Sequence, residues 1–408
     1  MMTTIRKTVL AASCSAFLFL TACNDDDPVP AVQEKFYLSE SSYTVGSLAN
    51  ASNIQVMRYL MPNVLGKNAE TTAMVMFPKT TRPAGGWPVV VWMHGTTGVG
   101  DDCAPSKNQL NSNFSILANS LLEAGYVIVA PDYEGLGAPG IHPYLNLGSE
   151  ARSAIYAMKA IKERYGPQLN PGWVSIGQSQ GGHASLGVAE YAASDANYKG
   201  TVATAPASSL GYIITQVAPT AIAGLEQTNG PVVASAVYAE LLAYAAYTAV
   251  GIKAYEPRFD LGTIFQDRAK FFAEKAEGST GENGICLTPL IQEFRDDILA
   301  YLAENTAKKV MDYPGLKAGF EKDAVVEKFL KDNQPGTKAL KKPVYVVQGG
   351  RDTAVPYQVT QELVKNLNEL GSTPAVILDI VPTAGHTQAI VDKNEDVVAF
   401  IKKYLPPQ

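Results

Sequence analysis

The chain has 408 residues, long for one plain domain and short for three, so one large domain carrying an insertion is the economical reading. Its apolar content of 46% supplies a sizeable core, and a formal net charge of -6 without a basic cluster excludes nucleic acid as an expected partner. No apolar run beyond the first two dozen residues reads as long enough to span a bilayer.

Arg6 and Lys7 precede a short apolar stretch, residues 9–20, and then Leu20-Thr21-Ala22-Cys23. This resembles a bacterial lipobox, which predicts a signal peptide over 1–22 and lipid on Cys23. An ordinary signal peptide is the alternative. Residues 24–30 are acidic and end in prolines, the composition of a tether, which is expected over 23–32. The expectation is an exported lipoprotein, at the outer membrane, cell surface or periplasm, touching membrane only through that lipid. Asn24 weighs toward the outer membrane. Of four cysteines, Cys14 falls in the signal, leaving Cys103 and Cys286 in the body. In an oxidising compartment they form a disulfide, or else they are two free thiols. Neither has a cysteine or histidine nearby at ligand spacing, so no metal site is expected.

Residues 53–59 and 71–77 read as antiparallel strands at a sheet edge. Continuous β-branched runs follow at 88–93, 126–130, 173–176 and 200–204, each stopped by Gly, Pro or a turn. Helical patterns at 114–124, 148–165 and 183–193 alternate with them. Ala151, Ile155, Met158 and Ile161 set the spacing of the second helix. Residues 208–336 break this rhythm. They contain no convincing strand and are mostly helical, as at 232–250 and 291–304. Strand character returns at 343–347 and 375–380, with helices at 357–370 and 388–404. Such alternation predicts a mostly parallel sheet flanked by helices. Its core comprises 33–207 and 337–408. The insertion, 208–336, is expected as a lid or cap over the carboxyl ends of the strands, where ligands bind.

Gly177-Gln178-Ser179-Gln180-Gly181 lies between a predicted strand and a predicted helix, the pattern of a nucleophile elbow in an α/β-hydrolase fold. The turn is so tight that side chains at either glycine would meet neighbouring backbone. Ser179 is the expected nucleophile. Of four histidines, His386 follows the last strand, where the base of this fold arrives; His183 lies on the elbow helix and reads as a core or supporting residue, and His142 reads as an ordinary loop residue, with lining of the pocket as the alternative. Asp352, in Gly349-Gly350-Arg351-Asp352, follows the preceding strand and is the expected acid, ahead of Asp379 and Asp392. The oxyanion hole would take the N–H of Gln180 and one from the loop His94-Gly95-Thr96-Thr97-Gly98, Thr96 before Thr97. His94, Gly95, Asp132, Tyr133 and Glu134 are further candidates for the pocket.

The stretches Trp92-Met93-His94-Gly95-Thr96-Thr97-Gly98 with Cys103-Ala104-Pro105-Ser106, Ala130-Pro131-Asp132-Tyr133-Glu134-Gly135-Leu136-Gly137, Gly177-Gln178-Ser179-Gln180-Gly181-Gly182-His183-Ala184 and Gly349-Gly350-Arg351-Asp352 together resemble the secretory lipase family of bacteria and fungi. The likeness runs from about residue 53 to the C-terminus. It implies a triad at Ser179, Asp352 and His386, a helical lid, and a disulfide tying Cys103 to Cys286. The expected activity is hydrolysis of carboxylic esters, with lipid or medium-chain acyl groups favoured, through an acyl-enzyme and without cofactor, by a monomer. Rival readings are a serine aminopeptidase or acylpeptidase using Glu134 for the substrate amine, an acetyl or feruloyl esterase of polysaccharides, and a non-catalytic surface binding protein.

Overall fold

The computed structural model describes residues 35–305 and 307–407. The expected signal peptide, Cys23 and the tether lie outside them. Among the described residues nine strands form one sheet, in the order β1-β2-β3-β5-β4-β6-β7-β8-β9. Three N-terminal strands, β1 (Tyr37–Ser42), β2 (Ala51–Pro62) and β3 (Asn68–Pro78), run antiparallel, and β3 pairs antiparallel with β5 (Val127–Pro131). From β5 onward all pairs are parallel, through β4 (Trp87–Met93), β6 (Leu169–Gln178), β7 (Tyr198–Thr204), β8 (Val344–Gly349) and β9 (Ile377–Val381).

The alternation of side chains along a strand decides the layers. In β4, Val89, Val91 and Met93 enter one core while Val90 and Trp92 enter the other. The first core is closed by helices α2 (Leu147–Tyr165), α3 (Gln180–Tyr191) and α10 (Tyr357–Glu369). The second is closed by α1 (Ser112–Glu123), α11 (Ala389–Asp392) and α12 (Asn394–Tyr404). Residues 388–404 therefore form two helices where the sequence reads as one. They part at Lys393, whose ammonium is drawn to Asp379 on β9 and to Asp396. Strand β1 has no counterpart in the sequence reading; as an edge strand of sequence YLSESS it packs little apolar surface.

Between β7 and β8 the described residues are helical, with an isolated bridge between Phe265 and Leu316. A short turn, α4 (Leu210–Tyr212), runs through a π-helical stretch, Ile213–Val217, into α5 (Ala218–Asn229). Then come α6 (Pro231–Lys253), α7 (Asp267–Glu277), α8 (Leu287–Ala303) and α9 (Ala324–Asp332). This cap has its own hydrophobic core, in which Leu242, Tyr247, Phe265 and Phe294 are fully buried. One expectation needs correcting here. Helix α6 is long and apolar enough to cross a membrane, with a mean hydropathy of 1.3 over its most apolar window. Its small alanine faces let α5, α7 and α8 pack closely around it, and most of that window is buried within the cap. An apolar helix surrounded by other helices needs no lipid.

Cys103 and Cys286 form a disulfide, which joins the segment after β4 to the start of α8. The two cysteines are 183 positions apart, and closing a span that long stabilises by up to about 5 kcal/mol in the chain-entropy account. The double substitution Cys103→Ser and Cys286→Ser, or reduction of the native chain, should lower the thermal midpoint in scanning calorimetry. Equal midpoints with and without reductant would show that this link adds nothing to stability.

Candidate functional site

The site begins with a steric constraint at the end of β6. A Cβ on Gly177 would sit 2.1 Å from the carbonyl oxygen of Gly181, and one on Gly181 would sit 1.8 Å from that of Met93. No side chain fits at either place, and the chain turns from strand into α3 in the space this leaves. Ser179 takes the strain, with φ 59° and ψ -117°, a conformation that residues with side chains rarely adopt. Its hydroxyl is thereby thrown out at the carboxyl edge of the sheet.

The loops after β8 and β9 approach each other as closely. A Cβ on Gly349 would lie 2.5 Å from the carbonyl oxygen of Gly385. The result is a chain of hydrogen bonds. Ser179 Oγ lies 2.8 Å from His386 Nε2, and His386 Nδ1 lies 2.8 Å from Asp352 Oδ2. Nδ1–H donates to the carboxylate, which leaves Nε2 free to accept from the serine hydroxyl. Asp352 is fixed in turn. The N–H groups of Ala354 and Val355 donate to Oδ1 at 2.9 and 2.8 Å, and Gln348 Nε2 donates to Oδ2 at 2.9 Å. Burial pushes the His386 imidazole down. The hydrogen bond and charge of Asp352, reinforced by the charge of Glu240, outweigh it and hold His386 above its ordinary value of 6.5.

The loop after β4 passes directly over the serine, since a Cβ on Gly95 would lie 3.7 Å from Ser179 Cβ. His94 Nδ1 donates to the carbonyl of Gly95 at 2.7 Å. A trans peptide sets its C=O and N–H in opposite directions, so this bond turns the N–H of Thr96 away from His94. The Thr96 hydroxyl is held by Tyr144 Oη at 2.6 Å, and the Thr97 carbonyl accepts from the N–H of Leu287 on α8 at 2.9 Å. Gln180 is pinned from below: its side-chain nitrogen donates to Glu150 Oε1 at 2.8 Å and to His142 Nε2 at 3.2 Å. Burial drives His142 down to about 3, so its ring is neutral and can accept. His183 is buried with both nitrogens facing oxygen atoms, Glu150 Oε2 at 2.8 Å and the Asn333 carbonyl at 2.8 Å.

Two cavities meet at Ser179. A narrow one of about 90 Å3 runs under the cap and is lined by apolar side chains, among them Leu210, Ile213, Leu241, Ala245, Phe329 and Val355. A wider one of about 620 Å3 holds His386, His94, Gly95, Thr96 and Thr97. Ser179 and Tyr244 are common to both.

Three of the expected pocket residues lie elsewhere. Asp132 is buried, accepts from Thr72 Oγ1 at 2.6 Å and from the N–H of Ser106 at 2.9 Å, and is pushed up to about 6 by burial. Tyr133 donates to the carbonyl of His94 from behind the loop. Glu134 spends one oxygen on the N–H of Val64 and the other on the Ser149 hydroxyl. None of the three lines either cavity. His142, read as a loop residue, is part of the buried network under Gln180. Conversely, Tyr144, Glu150 and Glu240 have no place in the sequence reading. Glu150 carries the one usable signal, a carboxylate within the buried stripe of α2 that includes Leu147, Ala151 and Ala154.

Residues 324–407 match the family described as TAP-like protein. No curated protein sequence matches the chain. Among solved structures, the chain is similar to a putative hydrolase from Legionella pneumophila, with a TM-score of 0.66, 18% identity, and coverage of 91% of this chain and 98% of that one. It is also similar to the rice cell wall degrading esterase LipA from Xanthomonas oryzae, with TM-score 0.64, 18% identity, and coverage of 91% and 98%. Candida antarctica lipase A in its closed state gives TM-score 0.62, 18% identity, and coverage of 90% and 81%. At this identity the likeness carries the fold, and the fold is that of the α/β hydrolases.

Proposed function

We propose that the protein is a serine hydrolase that cleaves carboxylic esters, of the lipase or carboxylesterase kind, through an acyl-enzyme on Ser179. The observation that carries this is the run of two 2.8 Å hydrogen bonds from Ser179 through His386 to Asp352 at the junction of two cavities. His386 takes the serine proton as Oγ attacks the ester carbonyl, and Asp352 stabilises the imidazolium that forms. The imidazolium then gives that proton to the departing alcohol, and water repeats the cycle to release the acid. The oxyanion is met by the N–H of Gln180, at the start of α3, and by that of Thr96, which the His94–Gly95 bond aims. The secretory lipase resemblance supports the same assignment, and export on a lipid at Cys23 belongs to the proposal on the lipobox alone.

The position of His386 separates the two halves of the substrate. The group it protonates must face it, so the leaving alcohol occupies the wide cavity and the acyl group the narrow one. At roughly 10–15 Å3 for each enclosed water-sized group, 90 Å3 admits on the order of six to nine heavy atoms. Short to medium acyl chains fit this better than long ones. An aminopeptidase needs an anion beside the acyl half of its substrate. Glu134 is fully engaged elsewhere, and no carboxylate lines the narrow cavity.

Nitrophenyl esters from acetate to palmitate should show rates that peak between about four and eight acyl carbons. Ser179→Ala should abolish turnover with an unchanged circular-dichroism spectrum. A peak at palmitate would place the acyl chain outside this cavity, and an active Ser179→Ala protein would end the assignment.

The base works only when neutral, so kcat/KM should rise with pH through an apparent pKa above 6.5. Asp352→Asn should lower that midpoint and cost on the order of 10^4 in kcat, as loss of the triad acid does in serine proteases. A profile flat from pH 5 to 8 would remove His386 from the reaction.

A further inference from the structure

Among the described residues that line the wide cavity, one bears a carboxyl group. Glu240 lines it from α6, together with His386 and Tyr244. One carboxylate oxygen accepts from the hydroxyl of Tyr244 at 2.7 Å. Among the described residues no lysine or arginine lines either cavity, and none forms an ion pair with Glu240. A half-buried carboxylate without a counter-ion, at the mouth of a reacting centre, leaves a negative potential where the leaving group must sit. Aromatic rings share that space. Trp92 and Phe114, stacked at 4.9 Å, line the same cavity, as does Tyr244. A carboxylate with no competing cation, in a cavity that aromatic side chains also line, is a surrounding in which an ammonium group is favoured.

We propose that Glu240 is a specificity-determining residue that selects esters whose alcohol portion carries a positive charge, and rejects those whose alcohol portion is anionic. This rests on the assignment of the wide cavity to the leaving group. The selection acts on the alcohol half alone, because the narrow cavity holds no charged group. Glu240 belongs to the cap, whereas Ser179, Asp352 and His386 belong to the sheet. Charge preference is thus set by an element that supplies none of the reacting groups.

The test compares three butyrate esters that differ only in the charge of the alcohol: a choline ester, a neutral isostere with a tert-butyl group in place of the trimethylammonium, and a sulfonated analogue. The wild-type chain should prefer the cationic ester to the neutral one in kcat/KM by about tenfold, with a similar penalty against the anionic ester, both shrinking as salt is raised. Glu240→Gln preserves shape and the acceptor for Tyr244, and should bring all three esters to within about twofold of one another. An unchanged circular-dichroism spectrum and thermal midpoint report that the variant is folded. Two results overturn the proposal: equal rates on the three esters in the wild-type chain, or a Glu240→Gln protein that slows all three by one factor. The latter would show that Glu240 acts only through His386. Failure of the wild-type chain on nitrophenyl butyrate as well would instead sink the ester hydrolase reading beneath it.

Discussion

Ser179 and the loop after β4 are both referred to one crossing of backbones, where the turn after β6 passes under the end of β4. Gly181 lies so near the Met93 carbonyl, and Gly177 so near Gly181, that neither position has room for a Cβ. That contact dictates the sharp turn, the turn dictates the positive φ of Ser179, and the strained serine presents its hydroxyl above the sheet. The same crossing brings the loop after β4 over the serine, since that loop begins at the residue Gly181 touches. Ser179 and the loop after β4, the proposed nucleophile and oxyanion loop, are therefore positioned by a single packing event. The strain of the elbow is sustained because β6 is buried between β4 and β7 and cannot relax.

The cap is tied into this arrangement at defined points. The Cys103–Cys286 disulfide and the bond from Leu287 N–H to the Thr97 carbonyl both hold the start of α8 against the oxyanion loop. On the other side, Asn333 at the end of α9 accepts from His183 of the elbow helix through its main chain, and from the N–H of Leu147 through its side chain. The first reaches Thr97, next to Thr96, and the second reaches His183, which shares the Glu150 carboxylate with the side chain of Gln180.

What could be read from the sequence follows from how local each constraint is. Gly177 is demanded by the backbone of Gly181 inside the same turn, and Gly181 by the Met93 carbonyl of the neighbouring strand; both glycines flank Ser179 within two residues, so the constraint leaves a short written pattern. Asp352 and His386 are far apart, yet chain order in this fold puts each on the loop after a recognisable strand. Asp132, Tyr133 and Glu134 failed as pocket residues for a reason no window of sequence contains. The sheet order places β5 on the far side of β4 from the elbow strand β6, so the loop after β5 runs behind the oxyanion loop. Glu134 there stitches the N-terminal strands to α2. Glu240 and Tyr144 could not be read either, because what matters in each is the tertiary face it meets. On α6 nearly every face is apolar, so periodicity gives no hint of which one looks down on Ser179.

On the proposed function, the division between sheet and cap separates reactivity from selection. Proton transfer requires distances fixed to a few tenths of an ångström, and these come from the rigid carboxyl edge of the sheet, where three glycine-bearing turns converge. Selection requires only shape and charge, which a helical cap with its own core can change without moving the serine, the histidine or the aspartate. The narrow cavity is built largely from cap side chains, and Glu240 is a cap residue in the wide one. Substitutions in the cap can thus redirect the substrate while leaving the hydrogen bonds of the reacting groups in place. The exceptions are α8 and Asn333, where the cap is fastened to the machinery itself.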